Sequence, residues 1–184
     1  MRVFIAINFE DSLKSYLKEK QNKLKLYCTK GNFVDKENFH LTLKFIGEID
    51  KKKIAYIKKA MDITGENCEK FLITLGELGA FKRNKEYIPW IGLDGDLYKL
   101  NYLYDKIQLE LYNVGFHKEN RPLKPHITLG RRVILQKNLS YIIEKICIDK
   151  INILVKSITL MESTRINGKL KYIPIYEKEL SSKE

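Results

Sequence analysis

The sequence predicts an α+β fold: two similar lobes face each other across a cleft, with antiparallel sheets turned inward and helices outward. Three observations carry that prediction. A four-residue phrase occurs nearly twice, His40-Leu41-Thr42-Leu43 and His126-Ile127-Thr128-Leu129, the second 86 residues after the first. Each copy is followed by a helical stretch and then by an apolar strand, Phe71-Leu72-Ile73-Thr74-Leu75 in one half and Ile153-Leu154-Val155-Lys156-Ser157-Ile158 in the other. The halves share pattern rather than identity, as a duplication leaves them. Finally, Asn167-Gly168 between alternating runs is a hairpin signal, and hairpins make antiparallel sheets.

Residues 2–8 read as a buried strand, rich in β-branched and aromatic types. From Glu10 to Tyr27, apolar Leu13, Tyr16, Leu17, Leu24 and Tyr27 recur at helical spacing, opened by acidic residues near the positive end of the helix. The first His/Thr strand covers 39–46 and stops at Gly47. Lys51 to Met61 reads as a second helix, closed by a turn at Gly65-Glu66-Asn67. Strands at 70–81 and 87–93 flank the polar loop Lys82-Arg83-Asn84-Lys85-Glu86. A helix over 96–114 ends before Gly115, which suits a C-terminal cap. Pro125 pushes its neighbour toward an extended conformation just before the second His/Thr strand. A short helix is expected at 138–147, then one strand over 151–161 and a returning strand over 170–180.

A chain of 184 residues with 44% hydrophobic content buries a sizeable core and is most simply one domain over 1–184, made of two interleaved lobes. The opening Met1-Arg2-Val3-Phe4-Ile5-Ala6-Ile7-Asn8 reads as a strand rather than a secretory leader, its apolar run being short and its basic lead-in minimal. No run of roughly 18 apolar residues is present, so no membrane span is expected. Three scattered cysteines, Cys28, Cys68 and Cys147, lack the spacing of a zinc or redox motif and are read as space-filling thiols in a reducing, cytoplasmic setting. The net charge of +11 suits a polyanionic partner. Of the 34 basic residues, however, 28 are lysine and six are arginine. Arginine has the planar fork that matches phosphate, so a lysine-rich solvated surface explains the charge at least as well.

Strand periodicity places the His and Thr of each phrase on one face and the aliphatic residues on the other. If the fold brings the pairs together, one imidazole takes a proton while the other gives one, which is what opening or closing a phosphodiester requires. The threonine hydroxyls would donate to non-bridging phosphate oxygens. Taken singly, each phrase is also what an ordinary strand with a surface histidine looks like. His117 has no Thr partner and reads as a surface histidine. Phe45, Tyr87 and Trp90 suit either the core or base stacking. Two distant histidines without neighbouring carboxylates or thiolates fall short of a zinc ligand set, so neither a metal nor another cofactor is expected.

The chain resembles the 2H phosphoesterase superfamily and, within it, the RNA 2',3'-cyclic phosphodiesterases also called 2'-5' RNA ligases. The residues that carry the resemblance are Met1 to Ile7, Asn38-Phe39-His40-Leu41-Thr42-Leu43-Lys44-Phe45-Ile46-Gly47-Glu48, Leu78-Gly79-Ala80-Phe81, Trp90-Ile91-Gly92 and Arg121 to Arg131. The resemblance implies a bilobal fold with a pseudo-twofold axis, no metal, and both His/Thr pairs lining a phosphate-binding cleft. It further implies His40 and His126 as catalytic residues, Thr42 and Thr128 as substrate-binding residues, and an RNA ending in a 2',3'-cyclic phosphate as substrate. Hydrolysis would break the bond to O3' and leave a 2'-phosphate, with reversible 2'-5' ligation where an RNA 5'-hydroxyl replaces water. His126 is assigned as the base and His40 as the acid; exchanging them leaves the residue list unchanged. Arg131 is a phosphate ligand by family position, yet its strand parity opposes that of His126, so it needs a bulge near Gly130 to reach the cleft. Lys44 shares the parity of His40 and reads as a phosphate neighbour or a solvated strand end. The alternatives are a related enzyme acting on a nucleotide or ADP-ribose cyclic phosphate, and a module that binds RNA ends without turning them over. With no heptad and no long apolar stripe, a monomer is expected.

Overall fold

The computed structural model describes residues 1–182. Along them run β1 (Arg2–Asn8), α1 (Asp11–Lys25), β2 (Cys28–Phe33), β3 (His40–Glu48), α2 (Ile54–Asn67), β4 (Phe71–Arg83), β5 (Glu86–Gly95) and α3 (Leu97–Asn113). Then come β6 (His126–Thr128), β7 (Gly130–Leu135), α4 (Leu139–Lys145), β8 (Asn152–Val155), β9 (Ser157–Ile166) and β10 (Lys169–Glu179). One sheet has the order β10-β9-β1-β3, and the other the order β2-β7-β5-β4-β8 with β6 paired to β5. The ladders between these strands are antiparallel. The predicted α+β class with two antiparallel sheets is therefore the one observed.

Burial follows from periodicity. On β1, Val3, Ile5 and Ile7 turn to the main core, which the helices cover with Leu13, Leu17 and Leu24 of α1, Ile57 and Met61 of α2, and Leu100, Leu103, Ile107 and Leu111 of α3. The opposite face of β1 presents Phe4 and Ala6, which join Met161 and Tyr172 in a small second apolar cluster. Asn167 and Gly168 both have positive φ, 50° and 77°, and close the β9–β10 hairpin as the sequence predicts.

Four local expectations differ from the fold. The segment 28–33 received no assignment from sequence, because Cys-Thr-Lys-Gly-Asn-Phe is polar and glycine-bearing, yet it pairs with β7 as an edge strand. Gly65-Glu66-Asn67 is not a turn but the last stretch of α2. Glycine stands there because β10 passes close by: a Cβ on Gly65 would lie 2.5 Å from Lys178 Cγ and 2.6 Å from the Glu179 carbonyl oxygen. The strand expected over 151–161 is two strands in different sheets, since the chain leaves β8 at Val155 and enters β9 at Ser157. Burial changes phase at that crossing, from Ile153 and Val155 to Ile158 and Leu160. Of the cysteines, Cys68 is buried and Cys28 half-buried, but Cys147 is exposed and fills no core space.

Candidate active site

A cleft of about 840 Å³ is lined by His40, Thr42, His126, Thr128 and Arg131 together, so the fold unites all five predicted site residues. The two histidines enter it with the same local geometry. His40 Nδ1 donates to the Asn38 carbonyl at 2.7 Å and His126 Nδ1 donates to the Lys124 carbonyl at 2.6 Å. A carbonyl only accepts, so each Nδ1 carries the hydrogen and each Nε2 is the working nitrogen. Aromatic rings on each histidine's own sheet hold its plane. Phe4 lies 4.9 Å and Tyr172 5.1 Å from the His40 ring, and Phe81 lies 5.1 Å from the His126 ring, edge-on, with Trp90 at 6.4 Å. Trp90 reaches this place because residue 79 has no side chain: a Cβ there would sit 2.3 Å from the indole.

The two sites differ in surroundings. The Thr42 hydroxyl donates to His40 Nε2 at 2.8 Å. Burial pushes the His40 imidazole down to about 4, opposed by the bond to Asn38 and aided by the nearby basic side chains Lys14, Arg131 and His126. At neutral pH His40 is therefore uncharged. His126 Nε2 has no hydrogen-bond partner among the described residues, and the ring stays half-exposed in the cleft.

Asn38 does more than hold His40. Its side-chain amide donates to the Leu170 carbonyl at 2.9 Å and accepts from Tyr172 N–H at 3.1 Å, fixing the β10 strand that brings Tyr172 against His40. Sequence reasoning gave Asn38 and Tyr172 no role, since neither belongs to the repeated phrase. The signals for Asn38 were its position immediately before a strand and its place at the head of the resembling stretch 38–48. Arg2 and Arg165 also line the cleft unforeseen, brought there by β1 and by the β9–β10 hairpin.

Arg131 takes the cleft-facing of its two readings. The strand interrupts at Leu129, whose carbonyl accepts from the buried Gln21 side chain at 2.8 Å and from Val34 N–H at 3.0 Å. Leu129 and Gly130 are consecutively buried, so the alternation slips and Arg131 emerges on the side of the histidines. Lys44 fits neither of its readings. A register shift in the β1–β3 ladder, where Ile5 faces Lys44 but Ala6 faces Thr42, puts Leu43 and Lys44 both inside. Lys44 Nζ pairs with Glu119 Oε1 at 3.2 Å, tying β3 to the loop that leads into His126. Phe45 comes to the cleft instead, 46% exposed, with the Arg2 guanidinium 4.9 Å over its ring. His117 is exposed, as expected.

Over residues 7–90 the chain matches a family model described as LigT like Phosphoesterase. A Thermotoga maritima protein named RNA 2',3'-cyclic phosphodiesterase is 32% identical over 178 residues, spanning 96% of this chain and 94% of that protein. The chain belongs to the LigT-like phosphoesterase family. A second LigT-like relative of the same name, from Methanocaldococcus jannaschii, is 35% identical over 183 residues and covers 96% of this chain and 97% of its own length. Matches of that length include both His/Thr phrases, whereas the family model stops before the second. The solved structure of Escherichia coli LigT complexed with 3'-AMP superposes with a TM-score of 0.80 over 98% of both chains at 24% identity, establishing the common fold.

Proposed function

We propose that this protein hydrolyses RNA 2',3'-cyclic phosphate ends to 2'-phosphomonoesters, with His40 and His126 as the proton-transfer pair. The observation that carries the reading is the pair of imidazoles in one cleft, each with Nδ1 tied to a carbonyl, His126 Nε2 open to the cleft and His40 Nε2 held only by the Thr42 hydroxyl, which a bound phosphate would draw away. Thr42, Thr128 and Arg131 would hold the non-bridging oxygens, where charge gathers as water adds to phosphorus. Phe45 is the cleft ring best placed to stack on the terminal base. The name shared by the relatives supports RNA as the substrate.

The surroundings of the two histidines favour roles opposite to those assigned from sequence. His40 is held neutral, so it is ready to take a proton from the attacking water, and His126 would supply the proton to departing O3'. With an RNA 5'-hydroxyl in place of water, the same displacement in the same roles gives a 2'-5' linkage, and the roles exchange when the 3'-hydroxyl attacks that linkage to re-form the cyclic phosphate.

The test is incubation with EDTA and an RNA oligonucleotide ending in a 2',3'-cyclic phosphate. A 2'-phosphate product that both His40→Ala and His126→Ala abolish is the expected result; RNA binding without turnover would instead favour the end-binding module. A substrate with sulfur replacing O3' needs no acid for its departing thiolate. It should restore His126→Ala far more than His40→Ala, and the opposite pattern would return the base role to His126.

A further inference from the structure

Although lysine outnumbers arginine 28 to six, five of the six arginines gather around two adjoining cavities. Arg2, Arg131 and Arg165 line the cleft of the histidines. Arg131 also belongs, with Arg83, Arg132 and Lys85, to a neighbouring cavity of about 780 Å³ between the β4–β5 turn and β7, where Glu86 is the one acidic lining residue. The two spaces adjoin at the shared Arg131. Ion pairs among the described residues are made by lysines and the N-terminal amine, and Arg83, Arg131 and Arg132 make none.

The backbone is shaped to present this group. In the β2–β7 ladder Lys30 faces Ile134 and Asn32 faces Arg131, so Gly31 alone stands opposite both Arg132 and Val133, a bulge on β7. A regular strand would send Arg131 and Arg132 to opposite faces; here both are exposed and line the same cavity. Arg132 holds φ at +53°, a left-handed conformation costing a residue other than glycine about 1–2 kcal/mol. The guanidinium at this bulged position is exposed and free to receive an anion.

We propose that the Arg83–Arg132 groove is a subsite for the RNA backbone on the 5' side of the cyclic phosphate. This rests on the cleft being the cyclic-phosphate site: such an end closes the RNA at its 3' terminus, so all further nucleotides lie upstream. The guanidinium forks match the phosphodiester oxygens of those nucleotides. Phosphates leaving the cleft past Arg131 enter the second cavity directly.

The test compares wild type, Arg83→Gln, Arg132→Gly and the double variant on adenosine 2',3'-cyclic phosphate and on oligoribonucleotides of increasing length with the same end. Glycine suits the left-handed backbone at 132, so a loss of RNA affinity there does not arise from misfolding. For wild type, kcat/KM should rise over the first few upstream nucleotides. The double variant should lose about tenfold of that rise while keeping its mononucleotide rate, and the slope of log kcat/KM against log salt on the oligonucleotide should flatten by about 0.7 per arginine removed. Equal kcat/KM for mononucleotide and oligonucleotide in wild type, or an unaltered rise in the double variant, overturns the subsite. Failure of wild type to turn over any cyclic phosphate overturns the underlying assignment of the cleft as well.

Discussion

At the scale of single residues, the two histidines show how one motif yields two chemical states. Both are fixed at Nδ1 by a carbonyl two residues upstream, a contact that a strand entering from a loop supplies almost automatically. Their difference comes from what the tertiary fold lays beside them, because Phe4 and Tyr172 pack against His40 and leave it only partly open to the cleft. That difference has a stability signature. Folded His40 binds its proton only near pH 4, whereas an unfolded imidazole does so near about 6.5. The unfolded chain thus takes up the proton first as pH falls, so this contribution is complete above about pH 6.5 and is lost on descent toward 4. On the order of 3 kcal/mol is involved. His40→Gln should flatten the fall in stability between pH 6.5 and 4 in urea melts, and parallel profiles for variant and wild type would refute the buried neutral imidazole.

At the scale of elements, close approaches and bulges decide which faces meet. Gly65 was legible as a turn because glycine breaks helices, but a residue that removes a side chain also lets two elements touch, and here β10 touches α2. Gly65→Ala should destabilise the protein by roughly 1–3 kcal/mol despite the better helix propensity of alanine, because the Glu179 carbonyl is backbone and cannot turn aside. An unchanged or higher Tm would show that α2 has room to shift. The same reasoning explains Lys44 and Arg131. Simple alternation sent Lys44 toward the cleft and Arg131 away from it, and each was reversed by one irregularity, the β1–β3 register shift and the strand break at Leu129. A period-two pattern predicts faces only as long as the ladder is regular.

At the scale of the molecule, the sheets exchange segments. The first takes its strands from residues 2–8, 40–48 and 157–179, while the second takes 28–33, 71–95, 126–135 and 152–155. No cut in the chain separates one sheet from the other, and a continuous cluster of buried residues joins the helices to both. Heat or urea should therefore unfold the protein in a single cooperative transition, with tryptophan fluorescence from Trp90 and far-ultraviolet dichroism coinciding. Separate transitions would mean that the sheets behave as independent domains.

The α+β class, most of the helices and strands, the family resemblance and the five candidate site residues were all legible in the amino-acid order. They depend on local periodicity, turn chemistry and a phrase stated twice, which a linear chain records directly. The assembly of the cleft, the cleft-facing Arg131, the buried Lys44, the edge strand β2 and the aromatic walls of His40 and His126 were decided only by tertiary structure. Each depends on a contact between residues distant in sequence: Gln21 with Leu129, Ile5 with Lys44, Gly31 with the Arg132 bulge, Phe4 with His40. Local pattern specifies which side chains can share a strand face, but irregular pairing between distant strands specifies where that face finally points.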